Sequence, residues 1–290
     1  MQVKHTFGII GGDLRTVQLA KKLNEAGHKV LFYGIAVPTI SRSPDHPTLE
    51  DVINQSDILI LPLPMLNKNG EVFAPFHKTP IQLSTIIDNI HEGQYLFGGK
   101  ITPNTEALLK QANVRYTDYF ISEALTVENA LITAEGCMQT LLNMYEKTIC
   151  NSNILILGFG RIGKLCAKLL NGFGAKITVA GRRAETRSWV ESLGFTYTDI
   201  ENDESYSSAY EIIINTVPQS ILTYDRLNQL NPECIILDLA SAPGGTDFAH
   251  AKQIGLRTVH ALSLPGKTAP IAAGNAIFSA IKEIYEGLEV

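Results

Sequence analysis

The chain has 290 residues, 45% of them apolar and 18% charged, and a formal net charge of −5. That length suits two domains of ordinary size, and the charge balance, with no basic block, gives nucleic-acid binding no electrostatic support. No apolar run approaches membrane-spanning length, and the sequence passes from Met1 into strand-like Phe7-Gly8-Ile9-Ile10 without a leader pattern, so a cytoplasmic protein is expected.

Short β-branched or apolar runs alternate with amphipathic segments of helical length, which predicts parallel α/β architecture in two domains. In the first half, strands are predicted over 6–10, 29–33, 58–61, 94–97 and 114–117. Helices such as 14–26, closed by Gly27, and 106–112 lie between them. Five strands in this rhythm predict a flavodoxin-like substrate domain over residues 1–126. The first strand runs into Gly11-Gly12-Asp13-Leu14-Arg15, which would sit at the carboxyl edge of the sheet, where open α/β folds bind ligands. Two readings stay open there. Exposed amides, a helix start and Arg15 could bind a carboxylate, or Asp13 could cap the helix with Arg15 exposed in its first turn.

Leu131, Ala134, Met138, Leu141, Leu142 and Tyr145 recur at helical spacing and predict a long helix over 127–147, within a connector of residues 127–150. Gly136 inside it would allow close approach at a cost in helix stability. Glu135 reads either as a polar anchor or base, or as an exposed carboxylate.

A dinucleotide domain is predicted over 151–268. The apolar run 154–157 leads into Gly158-Phe159-Gly160-Arg161-Ile162-Gly163 and a helix-like stretch over 164–170, the strand-turn-helix context that this fingerprint requires. Gly158 would make the tight turn, Gly160 the close approach to pyrophosphate, and Gly163 the packing of helix on strand. The second strand, 176–180, is followed by Arg182 and Arg183, with no acid before Glu185. A carboxylate there would bind the ribose hydroxyl of NAD, whereas guanidinium groups suit a 2′-phosphate, so NADP is the expected cofactor. Further strands are predicted over 211–215, 234–239 and 257–260, with acidic, serine-rich 201–208 as a surface loop or short helix. The segment 269–290 is a final helix, of a kind that in two-domain dehydrogenases often crosses back to the first domain. Cys137, Cys150, Cys166 and Cys234 form no CxxC pair; they read as buried thiols, not a zinc or disulfide framework, and no metal is expected.

Several segments together carry a family resemblance: residues 9–13 with Arg15, Thr133-Ala134-Glu135-Gly136, Asn215-Thr216-Val217-Pro218, the stretch 237–248 (LDLASAPGGTDF), and 264–270 (LPGKTAP). On these the chain resembles, over nearly its whole length, the A subunits of bacterial dipicolinate synthases, sporulation enzymes that make pyridine-2,6-dicarboxylate. The resemblance implies NADP-dependent oxidation of dihydrodipicolinate, a product of the lysine pathway, to aromatic dipicolinate. It also implies a B-subunit partner of a flavoprotein-like family and a place in the mother cell of a sporulating bacterium.

Such a reaction removes a hydride and a proton, so the protein must hold the ring against the nicotinamide, bind two carboxylates and accept the proton. The expected cofactor contacts are residues 158–163, Arg182, Arg183, Thr216, Val217, Pro218, Ala240, Ser241, Leu264, Pro265 and Gly266, the last three in a loop. Expected substrate contacts are Gly11, Gly12, Asp13, Arg15, Thr133, Gly136, Ser241, Gly244, Gly245 and Thr246. Lys267 could reach the nicotinamide or a carboxylate, or stay an exposed loop lysine. For the proton acceptor, Asp13, Glu135, Asp238, His260 and water remain open; Asp238 reads more readily as a hydrogen-bonded structural carboxylate, and His260 has the most convenient intrinsic pKa. Two other functions are compatible with the general plan: a dehydrogenase of the shikimate or methylene-tetrahydrofolate type, although the lysine-aspartate pair of the former is missing, and a nucleotide-binding scaffold whose partner does the chemistry. A homo-oligomer is also compatible with the sequence.

Overall fold

The computed structural model describes residues 5–35 and 47–288. Met1, on which the leader argument rests, and residues 289–290 of the expected final helix lie outside them. The chain divides into two compact units, Met1–Asn129 with Ala269–Val290 and Ala130–Thr268.

The first unit runs β1 (Thr6–Ile10), α1 (Leu14–Glu25), β2 (Lys29–Tyr33), α2 (Leu49–Asn54), β3 (Ile58–Ile60), α3 (Leu83–Asn89), β4 (Tyr95–Gly98), α4 (Pro103–Gln111) and β5 (Arg115–Asp118). All strand pairs are parallel, in the order β2-β1-β3-β4-β5. This is the doubly wound flavodoxin-like order. Such sheets are covered on both faces, which is why their strands read as continuous apolar runs. In β1, Phe7 and Ile9 enter one core and Ile10 the other.

The helix α5 (Glu123–Met144) starts four residues before the periodicity suggests. Ser122 sets its start by accepting a bond from the Leu125 amide through Oγ, and Glu123 stands in the first turn, where a carboxylate complements the helix dipole. The boundary between the two units falls at Asn129 and Ala130, inside this helix.

The second unit continues with β6 (Asn153–Leu157), α6 (Arg161–Gly172), β7 (Lys176–Gly181), α7 (Ala184–Ser192), β8 (Thr196–Asp199), β9 (Ile212–Asn215), α8 (Tyr224–Leu227), β10 (Ile235–Asp238), α9 (Phe248–Gln253), β11 (Arg257–His260) and α10 (Leu264–Thr268). Its parallel sheet has the order β11-β10-β9-β6-β7-β8, the Rossmann arrangement with its switch point between β6 and β9. Ile154 and Ile156 point into one core and Leu155 and Leu157 into the other, and β9 and β10 divide their residues in the same way. The edge strand β8 escapes sequence prediction because Thr196-Tyr197-Thr198-Asp199 is polar and none of it is buried.

The last helix, α11 (Pro270–Gly287), belongs to the first unit. Ala276, Ile277, Ala280 and Ile281 pack into the core shared with β1 and α1, and Gln18 donates to Asn275 at 2.8 Å. The expected loop at 264–269 is instead α10 over Leu264–Thr268. Thr268 Oγ1 donates to the Leu264 carbonyl within it. Three of the four cysteines are buried, whereas Cys150 is exposed, contrary to expectation. Burial pushes the Cys234 thiol up to about 12, so it stays protonated and offers no nucleophile.

Candidate functional site

The turn between β6 and α6 has the geometry of an anion cradle. Gly158 sits at φ +90, and a Cβ there would lie 2.6 Å from Thr216 Oγ1 and 2.9 Å from Val217 Cγ2. At Gly163 a Cβ would collide with the Gly158 carbonyl, so this glycine lets the helix close on the turn. Gly160 differs from both: nothing lies within 4 Å of its Cβ position. It is the N-cap of α6, with no side-chain cap and no acid in the first turn. Amides at the start of a twelve-residue helix therefore face open space with a positive helix end behind them, a combination that fits a pyrophosphate. Phe159 and Ile162 are half-buried, and Arg161 is exposed.

The turn 216–218 lies against this cradle. Thr216 donates to the Leu157 carbonyl through both its amide and its hydroxyl, and the Val217 amide and carbonyl both bond the side chain of buried Asn215. Val217 is half-buried and Pro218 exposed. Thr216 thus holds the turn, leaving Val217 and Pro218 as the surface beside the fingerprint.

After β7, Arg182 and Arg183 are both exposed. Arg182 Nε pairs with Glu201 at 2.6 Å. Arg183 instead caps α7 by position and lines a cavity of about 420 Å³ with Phe159, Lys164, Glu185, Thr186 and Trp189. Lys164 and Trp189 are absent from the residues singled out in the sequence. The available signal was a lysine four residues beyond Gly160, hence on the same helical face.

The loop after β10 corrects several expectations. Asp238, fully buried, accepts from the amides of Ala240 (3.0 Å) and Gly245 (2.8 Å) and from the hydroxyl of Thr246 (2.7 Å). It is the structural carboxylate that organises the loop, and its lone pairs are committed. Thr246 has spent its hydroxyl on Asp238, and the Gly244 amide donates to the Ser241 carbonyl. A Cβ at Gly245 would meet Asn215 Nδ2 at 2.5 Å. Gly244, Gly245 and Thr246, all buried, therefore shape the turn and do not present groups to a substrate carboxylate. Ala240 is buried with both backbone groups bonded; Ser241 at the loop tip is exposed.

His260, at the end of β11, braces the same loop. Its Nε2 lies 2.9 Å from the Ala240 carbonyl, which can only accept, so Nε2 carries the hydrogen of that bond, and Nδ1 has no partner among the described residues. The ring stacks on Phe248 with centroids 5.0 Å apart.

Other expected contacts in this unit are packing residues. Leu264, Pro265 and Gly266 are buried, and Leu264 joins the core with Ala134 and Met138. Gly136 permits this packing, since a Cβ there would stand 2.9 Å from Leu264 Cβ and 3.0 Å from Thr268 Oγ1. Its role is helix contact, not ligand approach. Thr133 is buried, whereas Glu135 and Lys267 are exposed.

In the first unit, the turn after β1 is already occupied by its own chain. The Gly11 amide donates to the Tyr33 carbonyl and the Gly12 amide to that of Phe73, at 2.8 and 2.7 Å, so these amides are not the exposed anion-binding pair expected. Asp13 caps α1 by accepting from the Arg15 amide and also holds the Arg15 guanidinium at 2.8 Å through Nε and Nη2. Nη2 donates to the Leu63 carbonyl as well. Both residues are buried, at 7% and 5% exposure. Asp13 is therefore spent as a base, and Arg15 is not an exposed first-turn residue. Only its Nη1 has no partner among the described residues. Nearby, burial pushes the Tyr119 phenol well above its ordinary range despite the Arg15 charge, so it remains a donor to the Leu61 carbonyl.

Two further cavities, of about 470 and 500 Å³, lie by His5 and His28 in the first unit and by Glu211 and Arg257 in the second. Both sit where strands begin, whereas ligands of open α/β sheets bind where strands end.

Comparison with known proteins follows the same division. Residues 6–120 match the family described as the N-terminal domain of the dipicolinate synthase A subunit. Residues 109–243 match the NAD-binding domain of D-isomer-specific 2-hydroxyacid dehydrogenases. The dipicolinate synthase A subunit of Bacillus subtilis is 27% identical over 98% of this chain and 96% of its own. The chain is similar over nearly its whole length to dipicolinate synthase A subunits. The crystal structure of the Bacillus subtilis protein superposes with a TM-score of 0.81 at 26% identity, covering 99% of this chain and 97% of that one. The Bacillus halodurans A subunit gives 0.83 at 24% identity, with 98% of both chains covered. The second unit is thus a dehydrogenase-type domain for a nicotinamide dinucleotide. Among the described residues no helix is long and apolar enough to cross a membrane.

Proposed function

We propose that the chain is the A subunit of a dipicolinate synthase, an NADP-dependent oxidoreductase that converts dihydrodipicolinate to dipicolinate together with a B subunit, in the mother-cell cytoplasm of a sporulating bacterium. The observation that carries this reading is the match to the Bacillus subtilis A subunit over 98% of the chain, and the open, uncapped cradle at Gly160 supports dinucleotide binding independently. The balance is dihydrodipicolinate plus NADP⁺ to dipicolinate, NADPH and one proton. When bound, NADP supplies the hydride acceptor. The protein's own tasks are to seat the pyrophosphate on residues 158–163, to present the 217–218 and 241–243 surfaces to the rings, and to receive the proton.

Of the ionisable candidates, Asp13 and Asp238 have committed their oxygens. His260 retains Nδ1 and stands at the carboxyl edge of the same sheet as the fingerprint turn, beside the 240–246 loop. It is the proton acceptor in this reading, with its orientation set by the Ala240 carbonyl and Phe248. In the first unit, Arg15 Nη1 has no partner among the described residues, and in this reading it donates to a substrate carboxylate.

The test is to supply freshly generated dihydrodipicolinate with NADP or NAD to the chain alone and with a B subunit, following cofactor reduction and dipicolinate formation. Turnover with NADP is expected; none in either mixture overturns the reading, and faster turnover with NAD overturns the cofactor assignment. His260→Gln is expected to lower kcat by about 100-fold with unchanged NADP affinity. An unaltered kcat would remove His260 from the reaction.

A further inference from the structure

We infer that the cavity between the first turns of α6 and α7 seats the cofactor's 2′-phosphate, and that Lys164, with Arg183, is the residue that selects NADP over NAD. This rests on the dinucleotide reading above and deepens it, because Arg182, the first basic residue after β7, turns to Glu201 in an exposed pair and does not line the cavity.

Arg182 pairs with Glu201 at 2.6 Å and Arg187 with Glu191 at 2.8 Å. Lys164 and Arg183 have no carboxylate partner among the described residues, and both line the cavity. Lys164 Nζ rests over two aromatic faces, 4.8 Å from the Trp189 ring centroid and 5.8 Å from that of Phe159. The rings hold the ammonium over their faces without cancelling its charge. Phe159 belongs to the fingerprint turn and Arg183 stands two residues beyond the strand whose end faces the adenosine ribose, so the cavity borders the place where a 2′-substituent projects. A phosphate there would meet a point charge from α6 and a planar fork from α7, with the uncapped start of α7 adding amides. Glu185 also lines the cavity and is exposed. Its charge opposes the ligand and sets affinity below what two cations alone would give.

The chain has a single tryptophan, Trp189, in the cavity wall, which makes binding observable without turnover. Titration of the full chain with 2′,5′-ADP and with 5′-AMP, followed by Trp189 fluorescence and by calorimetry, separates the phosphate from the rest of the nucleotide. The wild type should bind 2′,5′-ADP more tightly than 5′-AMP. Lys164→Gln should weaken 2′,5′-ADP by about tenfold and leave 5′-AMP unchanged, since a hydrogen bond to a charged group is of that size. Lys164→Arg should retain most of the preference, and Glu185→Gln should increase it. If the wild type prefers 2′,5′-ADP and Lys164→Gln does not reduce the preference, the inference fails while the NADP reading stands. If the wild type binds both ligands equally, the NADP reading fails and the inference with it. Lys164 is exposed, so an unchanged melting temperature is expected and checks that the loss is local.

Discussion

Gly160→Asp is expected to weaken dinucleotide binding by at least about 100-fold while the melting temperature stays close to wild type. Gly160 has φ −74 and no atom within 4 Å of its Cβ position, so a side chain enters without strain. Aspartate is moreover a favoured N-cap, contributing about 1 kcal/mol relative to a poor one. The fold therefore loses nothing. The ligand loses its site, because the new carboxylate takes the free amides of α6 and places a negative charge where the pyrophosphate must sit. Isothermal titration with NADPH beside a thermal melt reads both quantities. Retained affinity would mean that the phosphates do not sit on this helix start. Gly163 offers the contrasting case, since any Cβ there meets the Gly158 carbonyl and would disturb the turn itself.

Asp13→Ala should destabilise the first unit by roughly 3–5 kcal/mol, because it leaves the Arg15 guanidinium buried without its counter-charge. Loss of the α1 cap contributes to this total. A fall in melting temperature of roughly 10 °C follows for a unit of this size. The double variant Asp13→Ala with Arg15→Met should recover much of the loss, since neither charge is then stranded. Chemical denaturation of the wild type and both variants measures the effect. A single variant within about 1 kcal/mol of wild type would show that the pair is solvated and not the buried contact described. The same experiment bears on function, because Arg15 is positioned by Asp13 before it can offer Nη1 to any ligand.

The parts of the site that were legible in the sequence are those whose geometry is local. Gly158, Gly160 and Gly163 each have the environment that their spacing implied, because turn, helix start and strand packing are settled within six residues. Asp238 was also readable as a structural carboxylate, being embedded in an apolar strand. The expected roles of Gly244, Gly245 and Thr246 did not survive, because the atoms that use them come from Asp238 and Asn215, and hydroxyl or glycine content says nothing about which partner is nearest. The same holds for Gly136, whose neighbours Leu264 and Thr268 lie more than a hundred residues away. Lys164 was passed over because a lysine on an amphipathic helix carries no signal until Trp189 and Arg183 are brought beside it.

The sequence by itself determined the two parallel sheets, the fingerprint turn and the basic step after β7, since each depends on periodicity or on residues adjacent in the chain. Tertiary structure alone decided which polar groups remain available. Arg182 pairs with Glu201, Arg15 with Asp13 and Leu63, and Thr246 with Asp238, whereas Lys164 and Arg183 have no carboxylate partner and Nδ1 of His260 no hydrogen bond among the described residues. For Arg15 and Thr246 the physical reason is that a buried donor must be satisfied; for exposed Arg182, as for the buried groups, the partner is set by which distant segment packing brings beside it.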